Sequence, residues 1–346
     1  MRSPTVQRYY FSILRTSGER RVCSHHKLVM VRALGMAAVS HPQSHAGLKP
    51  WNKDQDTVYA LNRGDLTKER ERLEYNHRNI FLPLCGGLCP QQILTHLKDQ
   101  QNPRVAEIAT GTGIWLRDMA KLLPSSAELR GIDMDTTKFP PPSDLHPNIC
   151  LLQHNALKPF PEEMHGLFDM IHIRLIGSGM RNEDWKTVAA NAFTLLRSGG
   201  YIHWEEAGDT SWKCVPPSHA FDEWSRIRML WSIKVGRNPF VFILLILVIQ
   251  YSMPAQLPLV LRDAGFANID NKVWNTFSVE GMMRESMRKI ATEVAQPVML
   301  SILESGGVDT LQTTEDMDRL ESDLRRDIQN GALIGISLTW FWGRRP

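Results

Sequence analysis

A short segment near residue 110 constrains the fold more than any other part of the chain. Residues 104–113 read Arg-Val-Ala-Glu-Ile-Ala-Thr-Gly-Thr-Gly, so a β-branched run ends in an acid and a Gly-x-Gly turn follows at once. Residues 114–123 then carry apolar side chains at helical spacing. This order of strand, glycine turn and helix predicts a binding site for a nucleotide-like ligand. Glycine has no Cβ, so the backbone of the turn can approach such a ligand closely at the N-terminus of the helix.

The turn lacks the marks of two other nucleotide sites. A dinucleotide fingerprint needs a third glycine where this chain has Leu116, and a phosphate loop needs a Gly-Lys-Ser/Thr that does not follow. Residues 129–133, Leu-Arg-Gly-Ile-Asp, predict a second strand that ends in an acid roughly twenty residues after the turn. Asp133 is either a loop cap or a carboxylate that accepts hydrogen bonds from both hydroxyls of an adenosyl ribose, and the interval favours the second interpretation.

Four segments of the chain resemble the successive motifs of class I S-adenosylmethionine-dependent methyltransferases. They are residues 107–115, 131–135, 168–174 and 195–201. The chain is more narrowly similar to the LaeA-like group found in fungal natural-product gene clusters, through residues 59–62 and 71–77 and through a C-terminal Gly-Arg-Arg-Pro where the group typically has Gly-Arg-Lys-Pro. The similarity is good over residues 59–206, is thinner beyond them, and does not cover the first fifty residues.

The resemblance implies an α/β fold with S-adenosyl-L-methionine as its cofactor. The expected architecture is a Rossmann-like, seven-stranded, mostly parallel sheet, with an N-terminal helical arm and a helical cap in the C-terminal half. We expect residues 1–46 to be an extension without a fixed fold and residues 47–346 to be the methyltransferase domain. Within that domain, residues 47–100 form the arm, 101–207 the cofactor-binding core, and 208–346 the cap helices and the last strands.

Hydrophobic periodicity predicts the individual elements. The predicted strands are 104–108, 128–132, 149–153, 170–173, 201–205, 268–277 and 333–341. The predicted helices are 67–77, 91–98, 114–123, 185–196, 218–234, 257–265 and 281–303. Strands that alternate with helices favour a parallel sheet covered by helices on both faces.

Charge and cysteine content exclude several classes of protein. The formal net charge is +3, but residues 1–35 carry a net +6, which leaves the remainder at −3 and predicts no nucleic-acid-binding surface. Five scattered cysteines without framework spacing predict reduced thiols in an intracellular, cytoplasmic protein. Cys85 and Cys89 lack a second Cys/His pair at zinc-finger spacing, so no metal site is predicted.

Two segments of the chain do not fit the alternation of strands and helices. Residues 1–35 have the composition of a mitochondrial transit peptide, or else the start codon is assigned too early, since Met36-Ala-Ala-Val-Ser is a normal start. Residues 240–249 are ten consecutive apolar residues, too short for a membrane helix of about twenty. A buried strand, a surface patch and a retained intron over residues 235–250 all remain open, and no transmembrane span is predicted.

The resemblance also implies roles for residues on the cofactor side. The candidate cofactor-binding residues are Tyr59, His77, Glu107, Thr110, Gly111, Thr112, Gly113, Asp133, Met134, Asn155, Ala156 and Arg174. The acid that ends the first strand orders the loop and the cofactor's amino-acid end, Asp133 takes the ribose, and Met134 packs against the adenine. Asn155 replaces the usual acid near the adenine but retains a carbonyl oxygen that can accept a hydrogen bond from the adenine amino group.

The predicted chemistry makes modest demands on side chains. The methyl group of S-adenosylmethionine sits on a sulfonium, so alignment of a nucleophile and exclusion of water carry most of the catalysis, without a metal or a covalent intermediate. His203 is the candidate general base because histidine titrates near neutrality, unless the acceptor needs no dedicated base. Arg174 is a second catalytic candidate, and His172 on the same strand face is predicted to be a hydrogen-bonded core histidine.

Three functions follow from these observations. The first is methyl transfer to an O or N acceptor of a small molecule in fungal secondary metabolism, with that molecule as the partner. The second is a LaeA-like regulator that acts through nuclear proteins, for which Arg20-Arg21 is a poor localisation cluster. The third is a pseudoenzyme or pericyclase that binds the cofactor without transferring its methyl group.

Overall fold

The structure is a computed structural model that describes residues 66–208, 211–237, 256–277 and 279–346. The predicted extension at 1–46, the candidate cofactor residue Tyr59, and residues 238–250 of the possible insertion lie outside the described residues. The proposed division of the chain at residues 46, 100 and 207 therefore stays a prediction.

A mixed sheet forms the centre of the described structure. Its strands are β1 Arg104–Ile108, β2 Glu128–Asp133, β3 Ile149–Gln153, β4 Phe168–Arg174, β5 Leu196–Glu206, β6 Trp212–Val215, β7 Ala267–Asn275 and β8 Leu333–Arg344. The strand order is β3-β2-β1-β4-β5-β8, β7 also pairs with β8, and β6 pairs with the first residues of β8. β1 to β5 run parallel, whereas β8 is antiparallel to each of its neighbours. The α/β, mostly parallel prediction is confirmed, with the four-residue β6 as an addition.

Helices cover both faces of this sheet. They are α1 Leu66–Asn76, α2 Leu82–Cys85, α3 Gln91–Lys98, α4 Ile114–Ala120, α5 Asp184–Leu195, α6 His219–Lys234, α7 Leu257–Asp263, α8 Gly281–Glu304 and α9 Thr314–Gln329. One apolar cluster joins the sheet to α4 through Trp115 and Met119, and another joins it to α5 through Trp185 and Val188. A π-helical turn, His77–Phe81, connects α1 to α2 and brings the arm against the sheet.

A third apolar cluster builds the cap from α6, α8 and α9. Trp224 of α6, Met299 of α8 and Leu320 of α9 are buried in it. Helix α9 was not predicted, although its buried residues Met317, Leu320, Leu324 and Ile328 follow a helical stripe and Thr313 caps its first turn. Among the described helices, none combines the length and the apolar character needed to cross a lipid bilayer.

Candidate cofactor and acceptor site

The turn between β1 and α4 has the tight geometry that its glycines predict. Gly111 and Gly113 adopt φ values of +56° and +69°, a region that favours glycine. The Thr110 hydroxyl donates a hydrogen bond to Glu107 Oε2 at 2.5 Å, and Gly113 N–H donates to the Thr110 carbonyl at 2.9 Å. The turn is therefore held closed by its own side chains and backbone, with the α4 N-terminus directly after it.

Asp133 at the end of β2 is tied to the same turn. Its Oδ2 accepts a hydrogen bond from Gly111 N–H at 2.9 Å, and its Oδ1 accepts one from Asp135 N–H at 2.9 Å. Burial raises the pKa of Asp133, while these two backbone donors favour the ionised form and oppose that rise. The parallel pairing of β1 with β2 thus places Asp133, at the end of β2, next to the glycine turn that follows β1.

A cavity of about 520 Å³ opens over this edge of the sheet. The predicted cofactor residues that line it are Glu107, Thr110, Gly111, Thr112, Asp133, Met134, Asn155, Ala156 and Arg174. Gly113 and His77 are not among the lining residues. Gly113 shapes the turn beneath the cavity, and His77 acts on it indirectly.

His77 reaches the cavity through Arg174. Arg174 NH1 lies 3.0 Å from His77 Nδ1, and His77 Nε2 lies 3.0 Å from Asp118 Oδ2. A guanidinium can only donate, so Nδ1 accepts and the proton on Nε2 is donated to Asp118. Burial, and then the charge of Arg174, lower the pKa of His77 to about 4 even though Asp118 acts in the opposite direction. His77 is therefore a neutral residue that orients Arg174, whose guanidinium also lies 5.3 Å from the centroid of the Phe81 ring.

His172 occupies the centre of β4, beneath the cavity. Its Nδ1 lies 3.1 Å from Glu107 Oε1 and its Nε2 lies 3.0 Å from Glu205 Oε1. The imidazole stacks on the indole of Trp115, with ring centroids 3.8 Å apart and an interplanar angle of 10°. His172 has no exposed surface, as expected for a hydrogen-bonded core histidine.

The structure does not support His203 as the general base. Its side chain is fully buried and is not among the residues that line the cavity. Neither ring nitrogen has a hydrogen-bond partner within the part of the chain that the structure describes, and the ring packs edge-on against Trp340. Burial lowers the pKa of His203 to about 3. The alternation of β5 turns His203 and Glu205 away from the cavity and turns Glu206 towards it.

The two buried neutral histidines lead to a prediction about acid stability. We expect the free energy of unfolding to fall as the pH is lowered from about 7 to 5, by about 2 kcal/mol for each of His77 and His203. The unfolded chain, with ordinary histidine pKa values, takes up protons that the folded chain does not accept until the pH nears 4 for His77 or 3 for His203. Urea unfolding at both pH values measures this loss. The variant His203→Asn should show a shallower pH dependence, and equal stability at the two pH values would contradict the assignment.

The far end of the cavity is apolar and aromatic. Trp212, Phe221, Trp224 and Trp231 contribute aromatic rings. Aliphatic side chains also line it, among them Ala291, Val294, Ala295, Val298, Leu324, Ile334 and Ile336, and Arg228, Ser232 and Arg237 add polar groups beside the rings. The sequence suggested an aromatic wall for a flat acceptor from Trp212, Trp224, Trp231 and Met229, with core packing as the alternative role. The three indoles line the cavity and Met229 is not among the lining residues. The lining residues of α8, α9 and β8 were not predicted, because they lie far from these tryptophans in sequence.

Glu206 lines the cavity and was not predicted as a site residue. Its side chain is buried at the carboxyl end of β5. Gly177 N–H donates to Oε2 at 3.0 Å and Ala207 N–H donates to Oε1 at 3.1 Å, which fixes the carboxylate in place. The strict alternation along β5 was the available signal, but the sequence did not show which face meets the cavity.

Comparisons with known proteins show similarity to fungal methyltransferases and to regulators of secondary metabolism. No family model matches the chain. The methyltransferase grgD of Penicillium sp is 26% identical over 82% of this chain and 94% of its own length. The N-methyltransferase tcpN of Claviceps purpurea is 24% identical over 80% of this chain and 94% of its own length. The secondary metabolism regulator LAE1 of Gibberella fujikuroi is 24% identical over 55% and 57% of the two chains. These similarities support a class I S-adenosylmethionine-dependent methyltransferase in the LaeA-like group.

The geometry of the turn fits the cofactor of this methyltransferase. A Cβ on Gly111 would lie 3.2 Å from Leu73 Cδ1, and Gly131 faces Leu151 and Thr110 so closely that a Cβ would lie 2.5 Å from Leu151 Cδ2. The backbone at this corner is therefore packed at the closest distances that glycine allows. Hydrogen-bond acceptors on Asp133 and apolar groups on Met134 and Ala156 face the same space, as an adenosyl group requires.

Proposed function

We propose that the chain transfers the methyl group of S-adenosylmethionine to an O or N atom of a small, largely apolar molecule in fungal secondary metabolism. The observation that carries the proposal is one continuous cavity, with the glycine turn and Asp133 at one end and an aromatic wall at the other. The relatives grgD and tcpN support methyl transfer, and tcpN is named an N-methyltransferase.

Different side chains at the cofactor end of the cavity bind different parts of S-adenosylmethionine. Bound S-adenosylmethionine supplies a methyl group on a sulfonium that is already activated for displacement. Asp133 keeps lone pairs available for the ribose hydroxyls, because each carboxylate oxygen can accept two hydrogen bonds and accepts one from the backbone. Asn155 and Met134 provide polar and apolar contacts for the base. Arg174, held by His77, provides a fixed cation for the carboxylate of the cofactor's amino-acid end.

The acceptor end orients its ligand mainly by shape. Indole rings from β6 and α6 offer flat, rigid contact surfaces that suit a planar or cyclic acceptor. Glu206 lies in the same lining as these rings, where its fixed carboxylate can accept a hydrogen bond from an acceptor N–H or O–H. Alignment of that atom with the methyl group supplies the catalytic effect.

We expect Arg174→Gln to weaken the binding of S-adenosylhomocysteine about tenfold or more, because a charge-assisted contact to the carboxylate is lost. Binding of 5′-methylthioadenosine, which lacks the amino-acid end, should not change. Isothermal titration calorimetry with both ligands makes this comparison. Arg104→Gln, at the opposite end of β1 and paired with Glu128, is the matched control and should bind both ligands normally. Equal losses for the two ligands would refute the role assigned to Arg174.

We also propose a cytoplasmic location. The thiols of Cys85, Cys89, Cys150 and Cys214 are all free, as expected in a reducing compartment. A transit peptide within residues 1–35 would instead direct the protein to mitochondria, and fluorescent tagging of chains that start at Met1 and at Met36 distinguishes these locations.

Release of S-adenosylhomocysteine during incubation with extracts of fungal secondary metabolites tests the proposed function. Turnover that depends on an extract fraction supports the proposal and provides the material for identifying the acceptor. Cofactor binding without turnover in any fraction would overturn it in favour of a regulator that acts through protein partners, or of a pericyclase.

A further inference from the structure

A buried group of side chains lies beneath the cofactor turn, and of its three members only Glu107 lines the cavity. His172 is at its centre, with Glu107 of β1 at one ring nitrogen and Glu205 of β5 at the other. The exposed fractions are 0% for His172, 3% for Glu107 and 2% for Glu205. Water therefore does not reach these contacts, and the three groups must satisfy one another.

Hydrogen-bond accounting fixes the number of protons in this group. An ionised carboxylate only accepts hydrogen bonds, whereas a neutral imidazole offers one N–H and one bare nitrogen. Two ionised carboxylates around a neutral ring would leave one acceptor facing another in a buried setting, which is costly. A ring that carries N–H on both nitrogens satisfies both contacts and neutralises part of the carboxylate charge.

The Glu205 carboxylate is in a setting that favours its ionised form. Burial raises the pKa of Glu205, but the hydrogen bond from His172 and the charge of Arg174 outweigh it and hold that pKa below its usual range. Glu107 accepts a second hydrogen bond, from the Thr110 hydroxyl. Neither carboxylate therefore needs a proton of its own to make its contacts.

The other neighbours of His172 are compatible with a cation at this position. The ring of His203 lies 5.3 Å away between centroids, and its pKa is lowered by burial, so it is neutral near pH 7. The indole of Trp115 presents its face to the imidazole, an arrangement that attracts a cation. Burial raises the pKa values of the Cys85 and Cys89 thiols, so they add no negative charge.

We propose that His172 is an imidazolium that positions the cofactor-binding residues from beneath. This inference rests on the proposed cofactor site. On one side, His172 fixes Glu107, which in turn holds the Thr110 hydroxyl in the glycine turn. On the other side, it fixes Glu205, whose negative charge acts on Arg174. His172 is not among the residues that line the cavity, so it is a positioning residue rather than a catalytic one.

Two substitutions each preserve one of the two hydrogen bonds. The amide of His172→Asn reaches the position of Nδ1 and can still donate to Glu107, whereas the amide of His172→Gln reaches the position of Nε2 and can donate only to Glu205. We expect His172→Gln to bind S-adenosylhomocysteine about tenfold or more weakly in titration calorimetry, and His172→Asn to lose less affinity. His203→Asn, a buried change on the neighbouring strand, is the matched control and should bind normally. Thermal unfolding verifies that each variant is folded.

Nitrogen-15 NMR of histidine-labelled wild-type protein gives a readout that a purely structural role would not produce. We expect both ring nitrogens of His172 to be protonated near neutral pH, with the signal assigned from its loss in His172→Asn. A neutral-tautomer signal, or normal binding by His172→Gln, would overturn the proposal while leaving cofactor binding by the wild-type protein intact.

A stoichiometric metal found by elemental analysis and lost in His172→Gln would also overturn the proposal, since His172, His203 and Glu205 offer ligand atoms within 4.8 Å of one another. Failure of the wild-type protein to bind S-adenosylhomocysteine would instead refute the cofactor site itself.

Discussion

Gly111→Val should abolish detectable binding of S-adenosylmethionine in a protein that still folds. The valine would have to adopt φ near +56°, which costs a β-branched residue on the order of 1–3 kcal/mol. Its Cβ would also lie 3.2 Å from Leu73 Cδ1, and its methyl groups would extend into the space where the turn must meet the cofactor. Isothermal titration calorimetry measures the loss, alongside thermal unfolding to confirm that the variant is folded.

A matched control separates backbone strain from blocked access. Gly166 adopts φ +66°, close to the value at Gly111, and a Cβ there would meet nothing within 4 Å. Gly166→Val therefore introduces similar strain away from the cavity, and we expect it to lower the melting temperature while leaving cofactor affinity intact. Normal affinity in a folded Gly111→Val variant would exclude the close approach of this turn to the cofactor.

Asp133→Ala should weaken cofactor binding by about 1–3 kcal/mol, through the loss of partners for the ribose hydroxyls. The structure adds a second reason, because the same carboxylate anchors Gly111 N–H and so maintains the shape of the turn. The loss should affect S-adenosylhomocysteine and 5′-methylthioadenosine alike, since both carry the ribose, in contrast to the selective effect expected at Arg174. Titration calorimetry with the two ligands tests this pattern.

Two further variants make the Asp133 prediction specific. Asp133→Asn keeps the size of the side chain but places a donor against one of the backbone N–H groups, so it should lose nearly as much affinity as the alanine variant. Asp144→Ala removes an exposed carboxylate from the loop that follows β2 and should bind normally. A titration of Asp133→Ala that matches the wild type would refute the ribose role.

The cofactor half of the fold was predictable because its signals are local. The strand before Gly111, the acid at Asp133 and the apolar periodicity of α4 are each complete within about ten residues, and parallel pairing then brings them together. Errors there were confined to element ends: α4 ends at Ala120 instead of residue 123, and β5 begins at Leu196 instead of residue 201.

The acceptor half depends on contacts that sequence patterns do not contain. β6 has four residues and pairs with β8 more than a hundred positions later, so it carries little periodicity of its own. The orientation of β5 shows the same dependence: the ring of His203 packs against Trp340 of β8, whereas Glu206 lines the cavity. The sequence therefore suggested a candidate base on β5 at His203, whereas the β5 residue in the described cavity lining is Glu206.

Residues for the two ligands are drawn from different stretches of the chain. The cofactor contacts follow β1, β2, β3 and β4, whereas the indole rings lie within residues 212–231 on β6 and α6. Substitutions in the second stretch should therefore change the preference for the methyl acceptor while leaving the affinity for the methyl donor unaltered.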